Sequence, residues 1–377
     1  MLDVSVLLLF FNRADHFSQV WAQVKKARPA RLFLYQDGPR EGRDDMPGIL
    51  ECRALVADDQ IDWPCEVHRN YQEKNVGCDP AEYLSQRWAF SLTDKCIVLE
   101  DDDVPSQSFF TFCKEMLDRY EHDERITLIS GFMTRKPKGN RGKAGKAADG
   151  QSVGNTSVVQ SVGNTSVMQS EGATSGGMLH EGEASYFFTR AFSIWGWASW
   201  ARVVNNWEGD YAFLDDPERL ELLRTKVKQY GQRNDMVQMC LNHRATGKEY
   251  YESIFWAYML LHDGLAIMPA RNLINNIGMD GGTHFAAQLD MLPRRMRWQF
   301  TMPRHELQFP LVHPAEVAED PTYQREYYLL NAWNNPCRKV QYSLEELWLN
   351  LRHGNFSTIR KAVRNRILKT LGLRKHK

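Results

Sequence analysis

Residues 4–11 (VSVLLLFF) form a nearly unbroken apolar run, and a strand with no polar face must be covered on both sides. That requirement points to the interior of a parallel sheet with helices packed on it. Phe17, Val20, Trp21 and Val24 then recur at helical spacing. Residues 31–35 (RLFLY) give a second strand, stopped by the turn-forming Gln36-Asp37-Gly38-Pro39, and Val67 to Tyr71 a third. Asp79-Pro80-Ala81-Glu82 marks a helix start, with an aspartate to cap free amides, a proline for the first turn and a glutamate at the capping-box place. Residues 96–99 (CIVL) form a further strand ending in Glu100-Asp101-Asp102-Asp103. A helix bearing Phe109, Cys113, Met116 and Tyr120 on one face follows, and then a strand over 126–132. This order predicts an α/β fold with a mostly parallel, doubly wound sheet.

The pattern breaks between Lys136 and Glu181. A basic, Gly-rich stretch leads into a nonapeptide repeated as QSVGNTSVV, QSVGNTSVM and the degenerate QSEGATSGG. Three copies without a capping unit are too few for a solenoid, so the segment reads as a flexible insert. The expected division is a first half at 1–135, the insert at 136–182, a second half at 183–310 and an extension at 311–377. In the second half, 252–263 has helical periodicity ended by Gly264, and 265–269 (LAIMP) reads as a strand. In the extension, Ile359, Val363, Ile367 and Leu371 form one stripe of a helix rich in Arg and Lys. Such a basic amphipathic helix over 357–377 either lies on an anionic membrane surface or caps the domain.

Several function classes are disfavoured. The 377 residues carry 47 basic and 47 acidic side chains, so no global basic field exists for nucleic acid. Seven cysteines, none spaced as CxxC, suit a reducing cytosol better than a disulfide framework or a zinc site. The start, MLDVSVLLLFF, lacks a basic region and a small-residue cleavage site, and is expected to be a buried strand rather than a signal peptide. No GxGxxG follows the first strand, which disfavours a dinucleotide dehydrogenase, and GNRGKAGK at 139–146 is not a complete GxxxxGK[ST] loop.

Ligands of open parallel sheets collect at the carboxyl ends of strands. Three polar clusters fall there: Asn12-Arg13, Asp37-Gly38, and Glu100 to Asp103. Four consecutive acids repel one another unless a cation or water relieves them, and a hard divalent ion shared with phosphate oxygens suits that arrangement. Asp37 is either the polar residue of a tight turn or an acceptor for a uracil or ribose. Arg13 pairs with a diphosphate or sits on a solvated loop.

CIVLEDDDVPSQSFF resembles the strand, acidic motif and Phe-Phe helix of N-acetylglucosaminyltransferase I and related GT-A glycosyltransferases, and also bacterial glycosyltransferases labelled haemolysin-like. LLLFFNR at 7–13, YQDG at 35–38, YQEKNVGC at 71–78, WGWASW at 195–200 and NNIGMDGGTH at 275–284 match in the same order. The resemblance implies a GT-A fold and transfer of a sugar from a nucleoside diphosphate, most simply UDP, to a saccharide or lipid-linked acceptor. It further implies an inverting reaction, and a role in bacterial surface polysaccharide or glycolipid synthesis. It places Mn²⁺ or Mg²⁺ on Asp102, with Glu100 and Asp101 supporting the site, Asp37 on the uridine and Arg13 near the nucleotide. The family has an apolar residue where Asp103 stands, so Asp103 is either an added metal ligand or a solvated charge. The family's catalytic carboxylate falls at Glu252, whose alternative is an ordinary first-turn glutamate favoured by the helix dipole. Trp195, Trp197 and Trp200 are candidates for a sugar-stacking wall or for the core, and His284 for the diphosphate or a structural loop. The rival class is a non-catalytic nucleotide-sugar or carbohydrate-binding protein, which would bind UDP without metal-dependent turnover. The expected location is the cytoplasm, with peripheral membrane contact through 357–377.

Overall fold

A computed structural model describes residues 2–135, 183–279 and 289–370. The first part alternates strands and helices: β1 (Leu2–Phe10), α1 (Ala14–Ala27), β2 (Pro29–Gln36), α2 (Met46–Leu55), β3 (Glu66–Tyr71), α3 (Cys78–Phe90), β4 (Lys95–Glu100), β5 (Asp103–Pro105), α4 (Gln107–Arg119) and β6 (Ile126–Ser130). The second part holds β7 (Tyr186–Thr189), β8 (Trp197–Trp200), α5 (Ala201–Val204), α6 (Pro217–Gln229), α7 (Met236–Arg244), α8 (Tyr251–Leu261), β9 (Leu265–Pro269) and β10 (Ile274–Asn276). After these come α9 (Trp298–Thr301), α10 (Pro321–Leu330), α11 (Pro336–Arg352) and α12 (Phe356–Thr370).

Eight strands form one sheet in the order β3-β2-β1-β4-β8-β6-β9-β7. The pairs β2–β3, β1–β2, β1–β4 and β6–β9 are parallel, while β8 runs antiparallel between β4 and β6, and β7 runs antiparallel to β9. The fold is therefore α/β with a mostly parallel, Rossmann-like sheet, as the sequence pattern predicts. From Val4 to Phe10 every residue of β1 is buried, and α3 and α4 both pack on it, which is why that strand shows no polar alternation.

The chain steps outward from β1 through β2 to β3, then returns to place β4 on the other side of β1. At that reversal the two strand ends lie together, with Leu9 opposite Glu100. Beyond Glu100 the chain turns into β5, which pairs antiparallel with β10 so that Asn276 faces Asp103. This small second sheet holds the acidic segment against the end of the main one.

One local expectation is corrected, and one strand is added. Asp79 does not cap α3; the helix begins at Cys78 and Gly77 occupies the cap position with φ 94°. The Gly77 N–H is instead held by Asp37 (3.1 Å), so a contact across the sheet end sets where this helix starts. The WGWASW segment contributes a sheet strand, β8, which hydrophobic alternation could not reveal because all four of its residues are buried. No helix among the described residues is long and apolar enough to cross a membrane. The nonapeptide repeat and residues 371–377 lie outside the described residues.

Candidate active site at the ends of β1 and β4

Arg13 stands at the entrance of α1, directly after β1. Its Nη2 donates to Asp101 Oδ1 and to Asp102 Oδ2 (2.7 Å), while the Phe11 N–H donates to Asp101 Oδ2 (3.4 Å). The strand-end clusters of β1 and β4 are thus one ionic unit. Burial alone would lower the affinity of the Arg13 guanidinium for its proton, but Asp101 and Asp102 outweigh it and the net shift is upward. Burial raises the Asp101 carboxyl above its ordinary range, and Arg13 opposes that shift. The other terminal nitrogen, Arg13 Nη1, is buried and finds no hydrogen-bond acceptor in the protein. A buried donor left in that state is suited to an anionic ligand.

Asn276 on β10 holds the next two acids. Its Nδ2 donates to Asp102 Oδ1 and to Asp103 Oδ1, each at 3.1 Å. The Gly196 N–H donates to Asp103 Oδ2 (2.8 Å), and the Ile277 N–H to the Asp102 carbonyl (2.9 Å). Gly278 passes so close that a Cβ there would lie 2.0 Å from Asp102 Oδ2. Only a glycine lets the 275–278 backbone approach the aspartate this closely.

Asp103 does not carry a solvated charge. It is fully buried, and both carboxylate oxygens accept hydrogen bonds from the protein. Pairing of β5 with β10 turns its side chain inward, which rules out the solvated charge and gives Asp103 a structural part in holding the Gly196 and Asn276 segments. Asp102 retains 8% exposure. Among the described residues no three His, Cys, Asp or Glu side chains are grouped to hold an ion. A hard cation here would take Asp102 as its protein ligand and most of its shell from phosphate oxygens and water.

A second group of carboxylates lies alongside. Glu100 is partly exposed at the end of β4, Glu82 is buried on α3, and Glu252 is exposed in the first turn of α8. Burial pushes the Glu82 carboxyl well above the usual range, and the charge of Glu252 is the next cause. Burial and then Glu82 do the same to Glu100. Glu82 therefore links the carboxylate of α8 to those of β4. Its position in the Asp79–Glu82 pattern suggests helix capping, and sequence gives no sign that α8 packs beside it. The Tyr251 hydroxyl is buried next to these acids with no hydrogen-bond partner in the protein.

Asp37 is buried at the end of β2 and accepts four hydrogen bonds, from Gly38 N (2.8 Å), Asn75 Nδ2 (2.8 Å), Val76 N (2.9 Å) and Gly77 N (3.1 Å). Burial raises its carboxyl and these amides lower it, with burial the larger. Its oxygens organise the 74–77 loop. Asn75 and the loop amides come with Asp37 to the same strand end, though the turn signal pointed to Asp37 and Gly38 alone.

Trp197 does not line a site. It is 1% exposed, and its ring packs against Phe90, Trp207 and Phe255 inside the core, because β8 is covered on both faces. Trp200 is also buried, with Nε1 donating to the Leu117 carbonyl (3.0 Å). Trp195 is the partly exposed member of the three, packed beside Phe132 and Phe300. His284 lies outside the described residues.

The chain matches no protein-family model and no curated protein. Among solved structures it is similar to a UDP-glucose pyrophosphorylase complexed with UDP-glucose, at 9% identity over 36% of this chain and 58% of that one, with a TM-score of 0.24. A 4-diphosphocytidyl-2C-methyl-D-erythritol synthase from Anaerococcus prevotii matches at 8% identity over 36% and 57%, with a TM-score of 0.23. The glycosyltransferase GlyE of Streptococcus pneumoniae matches at 10% identity over 64% of this chain and 43% of that one, with a TM-score of 0.26. The chain spans less than two thirds of the length of each of these structures.

Proposed function

We propose that this chain is a metal-dependent glycosyltransferase that moves a sugar from a nucleoside diphosphate, most simply UDP, onto an acceptor hydroxyl with inversion. The observation that carries the reading is the pairing of Arg13 with Asp101 and Asp102 at the sheet's reversal point. There a buried guanidinium nitrogen without a protein acceptor lies beside Asp102, a carboxylate that keeps a small exposed fraction. A cation-binding carboxylate and a free cationic donor are the two elements that grip a diphosphate through its metal and its oxygens.

Asp102 would hold Mn²⁺ or Mg²⁺, with Arg13 and Asn276 fixing its orientation and Asp101 holding Arg13. A bound divalent ion would supply charge neutralisation for the departing diphosphate. Arg13 would donate its second nitrogen to a phosphate oxygen. Glu252 would accept the acceptor's hydroxyl proton as that oxygen bonds to the anomeric carbon and the bond to the diphosphate oxygen breaks. Glu100 would support the sugar nucleotide, with Glu82 packed behind it on α3. Asp37 would shape the 74–77 loop at the uridine, and His284 remains a candidate for the diphosphate.

The acceptor is proposed to be a saccharide, free or lipid-linked, in bacterial surface polysaccharide or glycolipid synthesis. A lipid carrier would place the reaction at the cytoplasmic face of a membrane, with residues 357–377 against it. The test is a panel of nucleotide sugars assayed for Mn²⁺-dependent hydrolysis and thermal stabilisation. One donor should be hydrolysed with Mn²⁺ and not with EDTA. Binding of UDP with no turnover of any donor, with or without acceptor sugars, would indicate a binding protein instead.

A further inference from the structure

The neutral whole conceals a strongly uneven distribution of charge. Residues 347–377 contain nine Arg or Lys and no Asp or Glu, so the preceding 346 residues carry nine more acidic than basic side chains. The same end of the chain exposes its apolar side chains in an ordered way. On α11, Val340, Leu344, Leu347, Trp348 and Leu351 are 42–61% exposed and follow helical spacing along one stripe. The opposite side of α11 is anchored, with Tyr342 and Leu349 buried and the Tyr342 hydroxyl donating to the Leu330 carbonyl (2.8 Å). The stripe is therefore not the face by which the helix holds to the body.

α12 packs against α11 and continues this surface. Phe356, Val363 and Ile367 are 66%, 51% and 53% exposed. Leu351 of α11 lines one shallow groove with Phe356, Ile359, Val363 and Ile367 of α12, and Arg360 and Arg364 line it too. The guanidinium of Arg352 lies 5.4 Å from the Trp348 ring. Aliphatic side chains, an indole and the guanidinium groups of Arg352, Arg360 and Arg364 thus share one surface.

We infer that α11 and α12 together form a docking surface for an anionic lipid bilayer. This rests on the membrane contact proposed above for 357–377 and extends it to the stripe of α11. Charge complementarity selects the occupant: α11 and α12 together carry eight Arg or Lys against the two acids Glu345 and Glu346, which suits a negatively charged leaflet, and exposed Leu, Ile, Val, Phe and Trp suit the headgroup–acyl boundary. A bilayer covers the whole stripe, because it adapts to its shape.

The test is flotation of the full chain with vesicles of phosphatidylcholine alone or mixed with phosphatidylglycerol, at low and high salt. The wild type should bind the anionic vesicles at least tenfold more tightly, and high salt should weaken binding. Replacing Arg360, Lys361 and Arg364 together by Gln should weaken it by roughly 100-fold. Leu344→Ser with Trp348→Ser, both at exposed positions, should weaken it at least tenfold without altering thermal unfolding. Equal binding to both vesicle types, no binding, or a serine variant that floats like wild type overturns the inference. So does a dimer in solution, without vesicle binding, that the serine variant dissociates. Donor hydrolysis in solution should be the same in all three proteins. A chain that turns over donor but does not float loses only the docking surface, and one that floats without turnover loses only the transferase reading.

Discussion

Arg13 shares one nitrogen between Asp101 and Asp102, which are 6% and 11% exposed at their side chains. Removing the guanidinium leaves two crowded carboxylates without a counter-charge. Arg13→Ala is expected to cost about 2–4 kcal/mol, measured by urea denaturation, with less loss in excess Mn²⁺. Gly278→Ala would push Asp102 aside, and donor hydrolysis should fall at least tenfold while the urea midpoint moves little. Glu82 offers a pH signature. Its carboxyl is raised in the fold, so the folded state binds this proton more tightly than the unfolded state. The stabilisation is complete below the ordinary glutamate range and is lost as pH rises through the folded value. Glu82→Gln should therefore raise Tm at pH 8 and leave it nearly unchanged at pH 4, as differential scanning fluorimetry would record. In catalysis, Glu252→Gln should lower kcat at least 100-fold and leave KM for the donor within a few-fold; an unchanged kcat removes it from the base role.

Elements differed in how plainly they could be read. β1, β2, β4 and β9 are short apolar runs with firm stops, so burial on both faces left a signature in composition. Asn276 and Glu82 left none of that kind. Asn276 reaches Asp102 and Asp103 only because β10 pairs with β5, a contact 173 residues apart in sequence. Glu82 meets Glu252 only because α3 packs beside α8. Trp197 shows the converse: an aromatic cluster looks alike in sequence whether it lines a cleft or fills a core, and packing against Phe90 and Phe255 decided it. The strand containing Trp197 is entered through Gly196, at φ 64°, where a Cβ would lie 2.5 Å from Ile274 Cδ1. Gly196→Ala is expected to destabilise the fold by about 1–3 kcal/mol and to weaken UDP binding, since its N–H anchors Asp103. A shift in the urea midpoint and a UDP titration would measure both.

For the whole molecule, the reversal of strand order brings Arg13 and the β4 acids to one place. That much was legible, because strand-end clusters follow from the order of elements. The partners that hold those acids come from the second part of the chain and required three-dimensional packing. Residues 136–182 separate the two parts of the sheet in sequence, and β8, β9 and β7 from the second part complete what β1 to β4 and β6 begin. Replacing 136–182 by a Gly/Ser linker is expected to leave a single cooperative unfolding transition; two transitions would mean the segment helps to join the parts.

The central claim is that Asp102 and Arg13 grip a cation-bound nucleoside diphosphate, and calorimetric titration with UDP tests it most directly. The wild type should bind UDP in Mn²⁺ at least tenfold more tightly than in EDTA, and Asp102→Asn should abolish that difference while remaining folded. UDP binding that is equal in Mn²⁺ and EDTA, or an Asp102→Asn protein that keeps the full Mn²⁺ effect, would contradict the account.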